Sequence, residues 1–100
     1  MAEKKVKSAR KLERHFKGVA NHRRVQLLLL ISGKPDISLI DAAEAIHGNM
    51  KTIAEHMRRL VIAGLVEKRH ASAGEGNVVG HSLTPYGKVF VTFIREFSNS

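Results

Sequence analysis

Apolar residues recur with helical spacing through residues 50–63, with polar residues between them. Asn49 stands immediately before this segment, and an asparagine side chain can cap the free backbone N–H groups of a helix start. Gly64 follows it, and glycine most readily adopts the left-handed conformation that ends a helix. The pattern therefore predicts an amphipathic helix. Its apolar face is formed by Ile53, Met57 and Leu60.

Four more helices are predicted from apolar periodicity and from helix-capping residues. The five aliphatic residues 27–31 fit a strand as well as a helix by their spacing, but Asn21 before them and a Gly-Lys-Pro sequence after them favour a buried helix. Ser38 with Asp41 three residues later resembles a capping box, and Pro85 suits the first turn of a helix. The predicted helices span residues 8–18, 22–32, 39–46 and 85–97.

The pattern changes between Gly64 and the last helix. Residues 65–70 and 78–83 have the composition of two short strands, and the glycine-containing residues 71–77 join them as a hairpin. A tight helix-turn-helix followed by a hairpin and a closing helix is typical of a winged helix-turn-helix, so a mainly α fold with a small two-stranded β-hairpin is predicted. Residues 35–37 are expected to be an extended link, residues 1–7 a basic flexible arm, residues 8–97 the domain and residues 98–100 a polar tail.

Positive charge is concentrated at the N-terminus. The formal net charge is +8, and residues 1–24 carry +7 of it, from nine Lys or Arg and two Glu. Residues 25–64 are neutral, and residues 65–100 carry +1. A local basic patch favours a polyanionic partner, through phosphate contact and counterion release. A solubilising or membrane-surface tail is the alternative interpretation.

Length and composition limit the other classes of protein. One hundred residues, 43% of them hydrophobic, suit a single small globular domain. The absence of cysteine excludes disulfides and thiolate metal sites. The longest aliphatic run is too short to span a bilayer, and no apolar signal-peptide core follows the basic N-terminus. A cytoplasmic protein without a membrane partner is therefore expected.

Several motifs, in their order and spacing, together resemble the small bacterial and archaeal repressors of the ArsR/MarR type. The motifs are NHRRVQLL at 21–28, AAEAI at 42–46, KTIAEHMRRL at 51–60, AGLV at 63–66 and HSLTPYG at 81–87. The chain departs from the family in three ways. His47 precedes Gly48 where the family's turn has glycine and then an apolar residue, the positioning helix has no cysteine, and the wing tip at residues 72–77 carries an acid and no base.

The expected function follows from the helix-turn-helix, whose second helix lies in the major groove with its first residues at base edges. We predict a sequence-specific double-stranded DNA-binding transcriptional regulator, and specifically a repressor, with a recognition helix over about residues 49–63. The resemblance also implies contacts to the DNA backbone from Arg23 and Arg24, at the start of the predicted helix over residues 22–32. The predicted base contacts are Met50, Lys51, Thr52 and Glu55. The predicted phosphate contacts are Arg23, Arg24, Asn49, Arg58, Arg59, Lys68 and Arg69.

Two structural alternatives apply to these residues. The exposed face of the recognition helix fits simple solvation, with Glu55 paired to Arg58 or Arg59. His81, on a wing strand, fits a partly buried histidine with a hydrogen-bond partner better than a phosphate contact.

The last helix carries an apolar stripe wider than a domain of this size needs. The ArsR/MarR resemblance implies dimerisation through the terminal helices, and a homodimer is therefore predicted. Intramolecular packing onto the N-terminal helix is the alternative. The predicted dimer interface comprises Leu12, Phe16, Tyr86, Val89, Phe90, Phe93, Ile94 and Phe97.

No metal, cofactor or enzymatic activity is predicted. The pairs Glu44 with His47 and His15 with His22 are not dense ligand sets, and no nucleophile–base pair or phosphate-cradling loop stands out. A small-molecule effector is not identified by the sequence. Two other functions remain open, namely a winged-helix protein-interaction module and an architectural or RNA-binding protein that uses the basic N-terminal region.

Overall fold

The computed structural model describes residues 9, 10, 13, 15–17, 21–70 and 79–98. The predicted arm, Leu12, the hairpin loop over 71–77 and residues 99 and 100 lie outside this part of the chain. Residues 9, 10, 13 and 15–17 are helical and are called the N-terminal helical segment.

Four complete helices and three strands follow the N-terminal helical segment. The predicted elements from residue 22 onward are confirmed, with ends that differ by at most one residue, and the last helix includes Ser98 of the predicted tail. The elements are α1 (His22–Gly33), β1 (Ile37–Ser38), α2 (Leu39–Ala45), α3 (Met50–Ile62), β2 (Val66–His70), β3 (Val79–Leu83) and α4 (Pro85–Ser98).

The predicted capping residues begin and end the helices. The Asn21 side chain accepts a hydrogen bond from the Arg23 backbone N–H (2.8 Å) at the start of α1. The Ser38 hydroxyl accepts one from the Asp41 backbone N–H (3.1 Å) at the start of α2. Gly64 follows α3 with φ +79°, the left-handed conformation that the sequence indicated.

The β-sheet has three strands, one more than predicted. Its order is β1-β3-β2, and both pairings are antiparallel. The predicted extended link therefore ends in a strand, with Ile37 paired to His81 and Ser38 paired to Gly80. Ile37 is buried, so the added strand closes one edge of the core while it extends the wing sheet toward α2.

The core lies among α1, α3, α4 and the sheet. Its largest fully buried side chains are Leu27, Leu28, Ile31, Ile53, Met57, Leu60, Leu65 and Val66. The run over 27–31 is thus a buried helical segment, and α3 contributes the three apolar residues predicted for its inner face. Burial of this face turns the polar face of α3 toward solvent.

Candidate nucleic-acid interface

The first turns of α3 present the predicted base-contacting side chains to solvent. The side-chain oxygen of Asn49 accepts hydrogen bonds from the backbone N–H groups of Lys51 (2.9 Å) and Thr52 (3.3 Å). This cap fixes the start of the helix. Lys51, Thr52 and Glu55 are exposed on the side of α3 away from the core, whereas Met50 is exposed at the helix start on the same face as Ile53 and Met57. All four side chains are accessible to another molecule.

The turn between α2 and α3 explains how the His47-Gly48 sequence fits a helix-turn-helix. His47 has φ +52°, so the left-handed residue of the turn is His47 itself. Gly48 is needed for a different reason, since a Cβ atom there would lie 2.5 Å from Cγ1 of the buried Ile53. The left-handed conformation therefore falls on the first of the two turn residues, and the turn leads directly into the Asn49 cap.

Two arginines of α1 hold the neighbouring helices in place. The Arg23 guanidinium donates to the Ile46 carbonyl oxygen (2.8 Å) at the end of α2, where the last backbone carbonyls lack helical partners. The Arg24 Nε–H donates to Nδ1 of His56 on α3 (3.3 Å). The predicted phosphate contacts of both residues remain predictions. The sequence does not predict this positioning role, because spacing along the chain does not indicate which carbonyl or ring an arginine reaches.

His56 is the α3 side chain that meets this arginine. Its burial, together with the nearby Arg24 and Arg23 guanidinium groups, lowers the pKa of His56 below its ordinary value. A neutral imidazole near pH 7 is consistent with Nδ1 accepting the hydrogen bond from Arg24. The contact links α1 to the middle of the candidate recognition helix.

Glu55 forms a network with the two arginines that follow it along α3. Arg58 donates to both carboxylate oxygens (2.9 and 2.7 Å), and Arg59 Nε–H donates to one of them (3.0 Å). The bonds from Arg58, with those from Arg59, lower the pKa of Glu55 from 4.5 to about 2. The alternative in which Glu55 pairs with these arginines is therefore present in the DNA-free protein, and Glu55 must exchange partners to contact a base.

A pH titration tests this network. Because the pKa of Glu55 in the folded protein lies below its ordinary value, the network favours the folded state above about pH 4.5 and loses that effect as pH falls toward 2. We expect an NMR titration of the side-chain carboxyl carbons to give Glu55 a pKa of about 2. Arg58→Ala should raise this pKa toward the ordinary value, whereas Lys51→Ala should leave it unchanged. An identical pKa in the Arg58 variant would contradict the assigned cause.

The wing strands contribute two further exposed basic residues, Lys68 and Arg69. Arg69 is ion-paired with Glu67 (2.8 Å), and both side chains are partly solvated. His81 is buried opposite Lys68, and its Nδ1 lies 3.2 Å from the Ile37 carbonyl oxygen. Burial lowers the pKa of His81. The sequence-based interpretation of His81 as a structural histidine is therefore confirmed.

A junction of three backbone carbonyls, at Ala63, Gly64 and Leu65, anchors the C-terminal end of α3. His15 of the N-terminal helical segment donates through Nδ1 to the Ala63 carbonyl (2.7 Å). The Thr84 hydroxyl donates to the Gly64 carbonyl (2.6 Å), and the Thr84 backbone N–H donates to the Leu65 carbonyl (3.0 Å). This carbonyl junction joins α3 to the N-terminal helical segment and to α4.

The predicted dimer residues divide into buried and exposed groups. Phe90 is buried and Ile94 is half-buried, which places them in the domain's own core or at its margin. Val89 is 65% exposed, Phe93 47% and Phe97 67%, and these three residues recur every four positions along α4. Phe16 and Tyr86 are also exposed, and the Phe16 ring meets that of Phe90 edge-on at 5.2 Å. The exposed members form one apolar surface.

Two features are absent from the described part of the chain. No group of three or more His, Asp or Glu side chains is arranged there to hold a metal ion. Across the same residues, no helix has both the length and the apolar character needed to cross a membrane.

Solved structures of transcriptional regulators share this fold. The homodimeric winged helix-turn-helix DNA-binding domain of Mb0332 from Mycobacterium bovis, described as a possible ArsR-family transcriptional regulator, has a TM-score of 0.81 and 22% identity, over 99% of this chain and 88% of that one. The transcriptional repressor BigR from Xylella fastidiosa has a TM-score of 0.76 and 17% identity, over 97% and 92%. FabT from Streptococcus pneumoniae, solved in complex with DNA, has a TM-score of 0.70 and 17% identity, over 76% and 52%.

The similarity lies in structure, since no family model and no curated protein matches the sequence. At these identities the neighbours establish the fold, and the predicted winged helix-turn-helix is confirmed. The structural neighbours include a possible ArsR-family regulator and a MarR-family regulator, and these are the families that the sequence motifs resemble.

Proposed function

We propose that this protein is a homodimeric, sequence-specific double-stranded DNA-binding regulator of transcription of the ArsR/MarR type, acting as a repressor in the cytoplasm. The observation that carries the proposal is the exposed N-terminal half of α3, which has a polar outer face, a capped start and an inner face buried in the core. A helix supported in this way can enter a major groove without disturbing the fold.

Base recognition is assigned to the first turns of α3. The Lys51 ammonium suits the acceptors of guanine, and the Thr52 hydroxyl suits a base edge or a phosphate. Glu55 suits the amino group of cytosine, provided that Arg58 and Arg59 transfer their hydrogen bonds to phosphates. In this exchange each arginine gives up a hydrogen bond to a carboxylate oxygen and gains one to a phosphate oxygen. Met50 supplies an exposed apolar contact at the same end of the helix.

Phosphate contacts are assigned to basic residues around this helix. Arg58 and Arg59 lie one turn beyond the base-contacting positions, and Lys68 and Arg69 lie on the exposed part of β2. Asn49 lies at the helix N-terminus, where the helix dipole favours an anion. Arg23 and Arg24 are given a phosphate role in addition to their observed contacts with α2 and α3. Such contacts set position and affinity, while the base contacts set sequence preference.

The homodimer is supported by the exposed apolar surface of α4. Three of its side chains, Val89, Phe93 and Phe97, leave about half or more of their area in solvent, which is costly for a surface without a partner. The Mb0332 domain of the same fold is homodimeric. A twofold dimer presents two copies of α3 and therefore favours a palindromic target.

Selection of bound sequences from random duplex DNA tests the proposal. We expect a palindromic consensus, with half-sites about one helical turn apart. No enrichment, together with little binding at moderate salt, would contradict the proposal and favour the protein-interaction module. Equal binding to RNA or to any duplex, lost on deletion of residues 1–7, would favour the architectural or RNA-binding alternative.

Two substitutions on α3 separate base reading from phosphate contact. Lys51→Ala should change the selected consensus. Arg58→Ala should weaken binding to all duplexes alike, and the plot of log affinity against log salt should become less steep by about 1. Lys34→Ala is the matched control, since Lys34 is exposed beyond the end of α1 and lies outside the assigned contacts. If Lys51→Ala weakened binding to all sequences equally, Lys51 would not be a base-contacting residue.

A further inference from the structure

Two exposed apolar side chains stand together at the starts of α2 and α3. Ile40, the second residue of α2, is 58% exposed, and Met50, the first residue of α3, is 42% exposed. Both line an open groove of about 460 Å³, which the wing strands also line. We propose that Ile40 and Met50 form an apolar site that receives the 5-methyl group of a thymine in the major groove. The inference rests on the proposed function and adds to it one base that the protein reads.

Met50 lines this groove because of the face of α3 on which it lies. Ile53 and Met57, on the same face, are buried in the core, whereas Met50 is the member of this face that remains accessible at the helix start. Its unbranched thioether side chain can adapt to the flat edge of a base. Met50 therefore offers an apolar contact on a different side of the helix from the polar contacts assigned to Lys51.

Ile40 is held beside Met50 by the start of α2. The Ser38 hydroxyl accepts the Asp41 backbone N–H (3.1 Å), which fixes the first turn of the helix. Ser38 also pairs with Gly80 of β3, so this turn is tied to the sheet. The branched side chain of isoleucine has few rotamers. Ile40 thus presents its apolar surface in a defined position and loses little conformational freedom on contact.

The surroundings of the groove favour DNA over a second copy of the chain. The exposed Lys68 lines it, and no carboxylate is found among the described residues of its lining. Lys51 and Thr52, assigned to bases, directly follow Met50 along the chain. No described residue of α4 lines the groove, and the second copy is assigned to the α4 surface. A cation beside an apolar site suits a nucleotide, which presents a phosphate and a base edge together.

An apolar site in the major groove selects one base. Among the four bases, only thymine presents a methyl group there, and the other edges are distinguished by hydrogen-bond donors and acceptors. The side chains of Ile40 and Met50 carry no N–H or O–H group. A polar base edge held against them would lose its water without gaining a hydrogen bond, which is unfavourable. The site therefore favours thymine.

Replacement of thymine by uracil tests the inference, because uracil lacks only the 5-methyl group. The duplex is the consensus selected from random DNA, and uracil is placed at one pair of symmetry-related thymines at a time. We expect one such pair to matter. Uracil there should lower the affinity of the wild-type protein about fourfold in one half-site and about fifteenfold in both, the effect of losing one or two buried methyl groups.

Matched variants assign this uracil effect to the groove. Met50→Gln keeps the length of the side chain and Ile40→Ser shortens it, and both changes remove apolar surface. Each variant should reduce the ratio of thymine to uracil affinity, and the double variant should bring it to about 1. Ile62→Ser is the control, since Ile62 is also 58% exposed but lies at the other end of α3, about 18 Å from Met50. This control should keep the wild-type ratio.

The outcomes separate this inference from the proposed function. Each variant is compared with itself on two duplexes, so a general loss of affinity leaves the ratio unchanged. If no consensus is selected, the proposed function fails and the inference fails with it. If a consensus is selected, two results overturn the inference alone. One is that uracil at no thymine weakens binding, and the other is that the double variant keeps the wild-type ratio.

Discussion

Replacing Gly87 by alanine is expected to cost the domain about 3 kcal/mol or more of its unfolding free energy. A Cβ atom at position 87 would overlap the carbonyl oxygen of Leu65, and this is backbone that cannot rotate away. The Leu65 carbonyl belongs to the carbonyl junction and accepts the Thr84 backbone N–H. The Gly87 N–H itself donates to the Thr84 hydroxyl (3.1 Å), so displacement of α4 would strain several hydrogen bonds together.

Thermal unfolding followed by circular dichroism measures this effect, and we expect the midpoint to fall by more than about 10 °C. Gly33→Ala is the matched control, because Gly33 is also helical and a Cβ atom there would meet nothing within 4 Å. The control should leave the midpoint unchanged or raise it slightly, since alanine has the higher helix propensity. Equal stability of the two variants would contradict the close approach of α4 to Leu65.

The double substitution Phe93→Ser and Phe97→Ser is expected to convert the protein from dimer to monomer. The two rings contact each other (centroids 4.7 Å apart) on the exposed apolar surface, so their loss removes contact area without opening the domain core. DNA affinity for a palindromic site should fall about a hundredfold or more, because each subunit then binds its half-site independently. Sedimentation velocity measures the oligomeric state, and a duplex-binding titration measures the affinity.

Ile40→Ser provides the control for the change in oligomeric state. Ile40 is as exposed as the α4 side chains, but it lies on α2 and is not part of the α4 apolar surface. Its substitution should leave the sedimentation of the protein unchanged. A double variant that still sediments as a dimer would exclude the α4 surface as the interface.

Local chemistry made most of the fold predictable. Asn21, Ser38 and Asn49 each have a short side chain able to accept a backbone N–H bond, and each does begin a helix. The residues of α3 could be assigned to a buried or an exposed face because the helical period is short and the segment is long. The exposure of Lys51 and Thr52 follows from the same regularity.

Features that depend on long-range contacts could not be predicted. The two-residue strand β1 has no periodicity of its own, and it exists because Ile37 pairs with His81, forty-four positions later. Arg23 has the same sequence signature whether it is solvated, binds a phosphate or caps α2, and only the position of the Ile46 carbonyl decides. The spacing of His15 and His22 does not indicate that His15 is buried against the end of α3.

Glu55 illustrates a different limit, since base contact and pairing with Arg58 are both consistent with its spacing. The structure shows the pairing with Arg58.

The carbonyl junction fixes the direction in which α3 points from the domain. α3 has thirteen residues and so is about 20 Å long, with the junction at its C-terminal end and Met50 at its tip. A tilt of about 5° about the junction would displace the tip by about 1.7 Å, half the rise of one base pair. If α3 contacts bases as proposed, weaker bonds from His15 and Thr84 would misalign its side chains with the bases while the domain remained folded.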